Sequence, residues 1–331
     1  MERVNSGVNL LWGKMTVDKA NKPAEISRLQ EPSHSILPSM KAIQYWALLE
    51  YLPLAIGSDV PSDNKHWKFL LHLCLLVDLI FAPRFTHGMV LYMSEVTAEH
   101  LSLFLDLHSS DHIRLRPKQQ LLVHLPGIVL KSGPLIGMSC MRYELKNSFF
   151  KRSAHVVWNF TNICRTLAYR HQQYALHSLL SNTFMRNVVS AAGHTLLSAH
   201  SVPFCDVLVS QFGLAPTDTI AVADKMSVAT VQYNKGHFMM LCRDEFGDPV
   251  FGKIINFVSP SGDGEWLVAV EHEQTTAFFA NIHAFNIVFV EPATVSVYCV
   301  NEFANRRPLY CHKLFGQNST RHLLRLPYHI S

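Results

Sequence analysis

Residues 250–271 read Val-Phe-Gly-Lys-Ile-Ile-Asn-Phe-Val-Ser-Pro-Ser-Gly-Asp-Gly-Glu-Trp-Leu-Val-Ala-Val-Glu, two β-rich runs, Val250–Val258 and Trp266–Glu271, around a Ser/Pro/Gly turn. Strand-forming residues in short runs bounded by turn residues are the signature of paired strands. The same grammar fills the chain from Pro203 onward, with further runs at Ser227–Tyr233, His237–Cys242, Ile287–Val290, Val295–Val300 and Leu323–His329. So many short strands in so little chain predict a small closed or half-open barrel.

Upstream the period changes. Trp46, Ala47 and Leu49 open a helix that Leu52-Pro53 is expected to end, and Asn64 stands where it can cap a long apolar helix to Phe81. Further helices are expected over Val90–His108, Arg116–Leu130, Met141–Ser153 and Asn159–Ser181, with a break at Lys131-Ser-Gly-Pro134. Residues 1–38, with Pro23, Pro32 and Pro38 and no sustained period, read as an extended arm. The expected class is therefore α+β: an arm (1–38), a mostly helical N-terminal domain (39–200), a linker (201–226) and a β-barrel-like C-terminal domain (227–331).

Composition sets the limits. The chain has 331 residues, 48% hydrophobic and 16% charged, enough for one large core or two ordinary ones. Its seven scattered cysteines form no CxxC pair, so reduced and mostly buried thiols are expected. Leu10-Leu11-Trp12 is too short an apolar core for a signal peptide, so the chain is expected to be intracellular, a nuclear location following from any role on DNA. His66–Ala82 has about the length of a membrane helix but carries Lys68, His72 and Asp78, which favours a core helix and no membrane partner.

Charge is unevenly placed. Between Arg114 and Arg170 stand ten cations, Arg114, Arg116, Lys118, Lys131, Arg142, Lys146, Lys151, Arg152, Arg165 and Arg170, against the single carboxylate Glu144. Residues 206–302 carry twelve carboxylates against four Lys or Arg. A concentrated basic segment predicts either a polyanion such as DNA or the acidic half of the same chain as its partner. The interleaved Phe149, Phe150 and Trp158 suit a nucleic acid, by packing beneath phosphates or stacking on bases.

The basic segment also carries motifs: Arg116-Pro-Lys-Gln-Gln-Leu-Leu-Val-His-Leu-Pro126, Lys131-Ser-Gly-Pro-Leu135, Met141-Arg-Tyr-Glu-Leu-Lys-Asn-Ser-Phe-Phe-Lys151 and Asn159-Phe-Thr-Asn-Ile-Cys-Arg-Thr-Leu-Ala-Tyr-Arg-His-Gln172. In this order they resemble a region late in, or just after, the transposase core of CACTA-like (En/Spm) DNA transposons. Tyr51–Gly57, His66-Trp67, Phe251–Phe257 and Arg307-Pro-Leu-Tyr310 extend the resemblance over about residues 40–330. It implies a transposon-derived protein, a fragment whose remaining transposase would be a partner alongside DNA. The chain departs from the pattern at Gln119, Gln120, Ser139 and Asn147, which points to decayed chemistry and to no independent nuclease or transposase activity.

Transposase chemistry of this kind uses three carboxylates to hold two divalent metals. Glu144 is the catalytic candidate, with Mg2+ the only cofactor that reading would need and no small-molecule cofactor otherwise. Its competing role is an ion pair with Arg142, Lys146 or Lys151. The DNA-binding candidates are Arg114, Arg116, Lys118, Arg142, Lys146, Lys151, Arg152, Arg165 and Arg170. His108, His112 and His124 with Asp106 or Asp111 have metal-like spacing, but among 19 histidines such spacings arise by chance, and a structural role is expected. Tyr233, Phe238, Phe251, Phe257, Trp266 and Phe278 match the aromatic content of a small chromatin- or peptide-binding barrel, a third expectation.

Overall fold

A computed structural model describes residues 2–14, 21–26, 40–109, 114–158, 160–181, 189–191, 193–228, 231–260, 266–299, 308–315 and 320–326. The helices are α1 (Glu2–Lys14), α2 (Ala42–Ile56), α3 (Lys65–Ile80), α4 (His87–Leu107), α5 (Pro117–Gln120), α6 (Leu125–Ser132), α7 (Met141–Val157), α8 (Ile163–Leu180) and α9 (Cys205–Phe212). The strands are β1 (Val189–Ala191), β2 (Thr195–Ser198), β3 (Thr219–Ala223), β4 (Lys225–Val228), β5 (Val231–Asn234), β6 (Phe238–Arg243), β7 (Pro249–Ser259), β8 (Leu267–Phe279), β9 (Ala284–Phe289), β10 (Val295–Cys299), β11 (Cys311–Phe315) and β12 (Thr320–Leu324). The class is mixed α and β, with α1–α8 preceding the strands and α9 lying between β2 and β3, and every described strand pair is antiparallel.

Two compact units form, and they do not follow the expected boundaries at 200 and 227. One comprises Met1–Met138, Thr276–Ile287 and Tyr310–Ser331; the other comprises Ser139–Thr275 and Val288–Leu309. In the first, Val8 and Trp12 of α1 pack with Ala47, Leu48, Tyr51 and Leu54 of α2, and Ile282, Ala284 and Leu323 close this core from the C-terminal strands. A second cluster joins α3, α4 and α6 through Leu76, Leu79, Val90, Met93, Val96 and Val129. Strand β12 pairs with β9 and β11 in the same unit.

In the second unit, β7 is central. It pairs with β6 along its first half, with β3 along its second, and with β8 on its other side; β10 adds to β8, β2 to β3, and β1, β4 and β5 form a three-stranded sheet. A bulge between Ile254 and Asn256 changes the parity of β7, so Ile254 and Phe257 share one core while Val258 enters the other. Among the described residues no pairing closes this sheet into a barrel.

Four expectations are corrected. The arm begins as helix α1, because Val4, Val8, Leu11 and Trp12 fall at helical spacing and find a core. The stretch 201–226 is no linker: it forms α9 and β3, and Ile220, Ala221 and Ala223 are at most 2% exposed. Pro53 does not end α2, which runs on to Ile56; the Leu49 carbonyl that a proline cannot bond is met by the Cys74 thiol at 3.4 Å. Ser227–Tyr233, expected as one strand, is divided between β4 and β5, which pair Val228 with Val231.

Other expectations hold. Asn64 caps α3, its side chain accepting from the Trp67 amide at 3.0 Å. Gly133, at φ 78°, ends α6 in the expected Lys131–Pro134 turn. No helix among the described residues is long and apolar enough to cross a membrane. All seven cysteines are free thiols, but only Cys74 is buried, and Cys140, Cys164 and Cys242 are exposed.

Candidate nucleic-acid interface

Helices α7 and α8 form an antiparallel hairpin within the second unit. Phe149 lies 5.6 Å from Tyr174, and Phe150 5.8 Å from His171, ring centre to ring centre. The half-buried positions of α8 are Ile163, Thr166, Leu167, His171 and Ala175, with Ser178 buried, a stripe at i, i+3 and i+4 spacing. The rest of α8 faces solvent. Lys146 is drawn over this seam, its Nζ 5.3 Å from the Phe149 ring and 5.7 Å from the Tyr174 ring, where a cation gains from the ring faces.

Two left-handed residues make the turn between the helices: Trp158 at φ 49° and Asn162 at φ 54°. Such a conformation is costly for a bulky residue. The Trp158 amide closes α7 by donating to the Ala154 carbonyl at 3.2 Å. Its ring then points out, 78% exposed, beside Phe160 at 64%.

The cations surround this hairpin. Lys151, Arg152, Arg165 and Arg170 are all exposed. The crossing that brings Phe150 to His171 sets Arg170 level with Lys151 and Arg152, and Arg165 nearer the turn. From residue 145 to residue 205 the sequence contains no Asp or Glu. Among the described residues none of these four cations enters an ion pair, while the acidic part of the same unit pairs with its own lysines, Asp224 with Lys235 at 3.6 Å and Glu271 with Lys253 at 3.4 Å. The described ion pairs thus leave this basic surface unneutralised.

The other sequence candidates are distributed differently. Arg114, Arg116 and Lys118 are exposed in the first unit, at the start of α5. There the Arg116 amide donates to the Gln119 side chain at 2.9 Å, so Gln119, a departure from the transposase-like pattern, caps a helix. Glu144 and Arg142 belong to α7, and their side chains lie outside the described residues, as do Asp111 and His112. His108 closes α4 with its ring 4.7 Å from Phe104, and His124 is exposed. No group of three or more His, Cys, Asp or Glu among the described residues is arranged to hold a metal ion. Of the aromatics matched to a reader barrel, Tyr233, Phe238, Phe251 and Phe257 are at most 3% exposed and belong to the core, leaving no open cage among them.

Two buried titratable sites were given no role by the sequence. Asp78 on α3 is met by His283 Nε2 at 3.2 Å and by Arg325, whose Nη2 reaches both carboxylate oxygens at 3.2 and 3.3 Å. Burial lowers the pKa of His283, pushes His312 beside Arg325 down to about 4, and pushes the Cys74 thiol up to about 12. Asp78, His283 and Arg325 are at most 7% exposed, so this network holds structure and has no face open to a substrate. Glu273 on β8 is 3% exposed, and neither carboxylate oxygen has a hydrogen-bond partner. Burial, with the Glu271 charge added, raises its pKa to about 7. Asp78 within an apolar helix was the one visible signal for the first; nothing local marked the second.

Compared with protein-family models, with curated proteins and with solved structures, the chain matches none of them.

Proposed function

We propose that this chain is a nucleic-acid-contacting protein of transposable-element descent, binding the polyanion through α7 and α8 and carrying out no reaction by itself. The observation that carries the reading is the set Lys151, Arg152, Arg165 and Arg170, exposed on one hairpin in a stretch of sequence with no carboxylate. Four uncompensated cations on one helical hairpin release counterions when they meet phosphates, which is the main source of affinity for nucleic acid. The rival partner, the acidic half of the same chain, makes no ion pair with these four cations among the described residues, its described pairs being to Lys235 and Lys253. The order of motifs along residues 116–172 supports the transposon descent.

The test is binding of the full chain to a duplex DNA across a salt series. Four phosphate contacts predict a slope of log affinity on log salt of about −3 to −4. Changing Lys151, Arg152, Arg165 and Arg170 to Ala should flatten that slope toward zero. A binding signal independent of salt, or one that the fourfold variant leaves intact, ends the proposal.

A further inference from the structure

Duplex DNA hides its base faces in the stack, and a side chain can reach them only by wedging a step apart. The α7–α8 hairpin is built with faces of its own on display. Trp158 and Phe160 stand out at the turn, 78% and 64% exposed, and Tyr169 and Tyr174 follow along α8 at 61% and 56%. Exposed rings of this size are normally buried against something, because leaving them in water forfeits their apolar contribution.

Their neighbours identify that something. On α8, Arg165 and Tyr169 are four residues apart, as are Arg170 and Tyr174, so each cation shares a helical face with a ring. At the turn, Trp158 and Phe160 lie between Lys151 and Arg152 on one helix and Arg165 on the other. An apolar protein partner would have to bury these cations, with no carboxylate between residues 145 and 205 to neutralise them. A nucleic acid with unpaired bases meets both needs at once, phosphates for the cations and base faces for the rings.

We infer that the hairpin binds single-stranded nucleic acid in preference to duplex, with Trp158 and Phe160 as stacking platforms and Lys151, Arg152, Arg165 and Arg170 tracking the backbone. This rests on the polyanion-binding role proposed above and adds the strandedness of its ligand. Helix α8, 18 residues long, offers about 27 Å of path for such a strand.

The experiment measures fluorescence anisotropy of the full chain with a labelled 20-nucleotide oligothymidylate and with a duplex of the same length, at several salt concentrations. The comparison protein carries Trp158→Ala and Phe160→Ala together, with circular dichroism to check folding; both side chains are exposed, so the fold should survive. Tighter binding to the single strand, reduced at least tenfold in the double variant while duplex binding changes less than twofold, supports the inference, since loss of a stacked base costs roughly tenfold in affinity. Equal affinity for both forms, unaltered by the double variant, overturns it and leaves the polyanion-binding role standing. Absence of salt-dependent binding to either form overturns both. A concentration-dependent rise in mass that the double variant abolishes, without single-strand preference, assigns the rings to a contact between copies and also overturns it.

Discussion

Asp78 keeps its charge inside an apolar helix because residues 205 and 247 positions away, His283 and Arg325, supply its hydrogen bonds. Removing one partner of such a pair leaves an uncompensated buried charge, and the loss is about 3–5 kcal/mol. Arg325→Met should therefore destabilise the protein by that amount in a urea titration, and Asp78→Asn by a comparable amount, since it leaves the Arg325 guanidinium buried without a counter-charge. Equal, small effects for the two variants would show that the network contributes little. Gly57 is a second case: a Cβ there would stand 2.6 Å from the Asn281 carbonyl oxygen, which is also 3.0 Å from the Trp67 indole nitrogen. Gly57→Ala should lower the melting temperature, and an unchanged value would mean that this junction yields easily.

Glu273 links a residue to pH. Its native pKa, raised to about 7, means that the folded protein holds a proton which the unfolded chain releases near 4.5. Between those values the native state binds more protons, so this group's contribution to stability falls as pH rises and levels off above about 7. His312, held near 4 against 6.5 when unfolded, acts with the opposite sign: stability falls as pH drops from about 6.5 through 4. Glu273→Gln should thus raise the melting temperature at pH 8 more than at pH 5, and a uniform shift at both would contradict the buried, unpartnered carboxyl.

At the scale of the element, the α7–α8 hairpin differs from the other helices in what holds it. Helices α3 and α4 share a core of fully buried Leu76, Leu79 and Met93, whereas α8 has only Ser178 buried. Backbone amides protected by few buried contacts open with little free energy. Amide hydrogen exchange should be markedly faster in Ile163–Leu180 than in Lys65–Ile80, and comparable protection would show an unseen partner covering the hairpin. Several helices and their stops were readable, Asn64, Gly133 and the apolar period each announcing an end or a face, while Pro53 announced a stop that α2 passes through. Helix α1 was equally readable from Val4, Val8, Leu11 and Trp12, but three prolines later in the same arm obscured it. The hairpin's charge was legible in full, since Lys and Arg need no fold to be counted. The exposure of Trp158 was not, because it depends on a left-handed turn.

At the scale of the whole chain, the units are assembled from separated segments. Ile282, Ala284 and Leu323 complete the core that α1 and α2 begin, and Arg325 and His283 neutralise Asp78. A fragment covering residues 39–200, cut where composition changes from helical to β-rich, should fail to fold cooperatively. A sharp thermal transition from that fragment would disprove the assignment of these strands to the N-terminal core.

The order of helices before strands, the basic segment and its freedom from carboxylates were determined by the sequence itself, because they rest on local period and on residue identity. Tertiary structure alone decided which strands complete the N-terminal core, which charges are neutralised and which rings face solvent. Each of these depends on contacts between residues far apart in the chain, and neither spacing nor composition encodes where a distant partner will arrive.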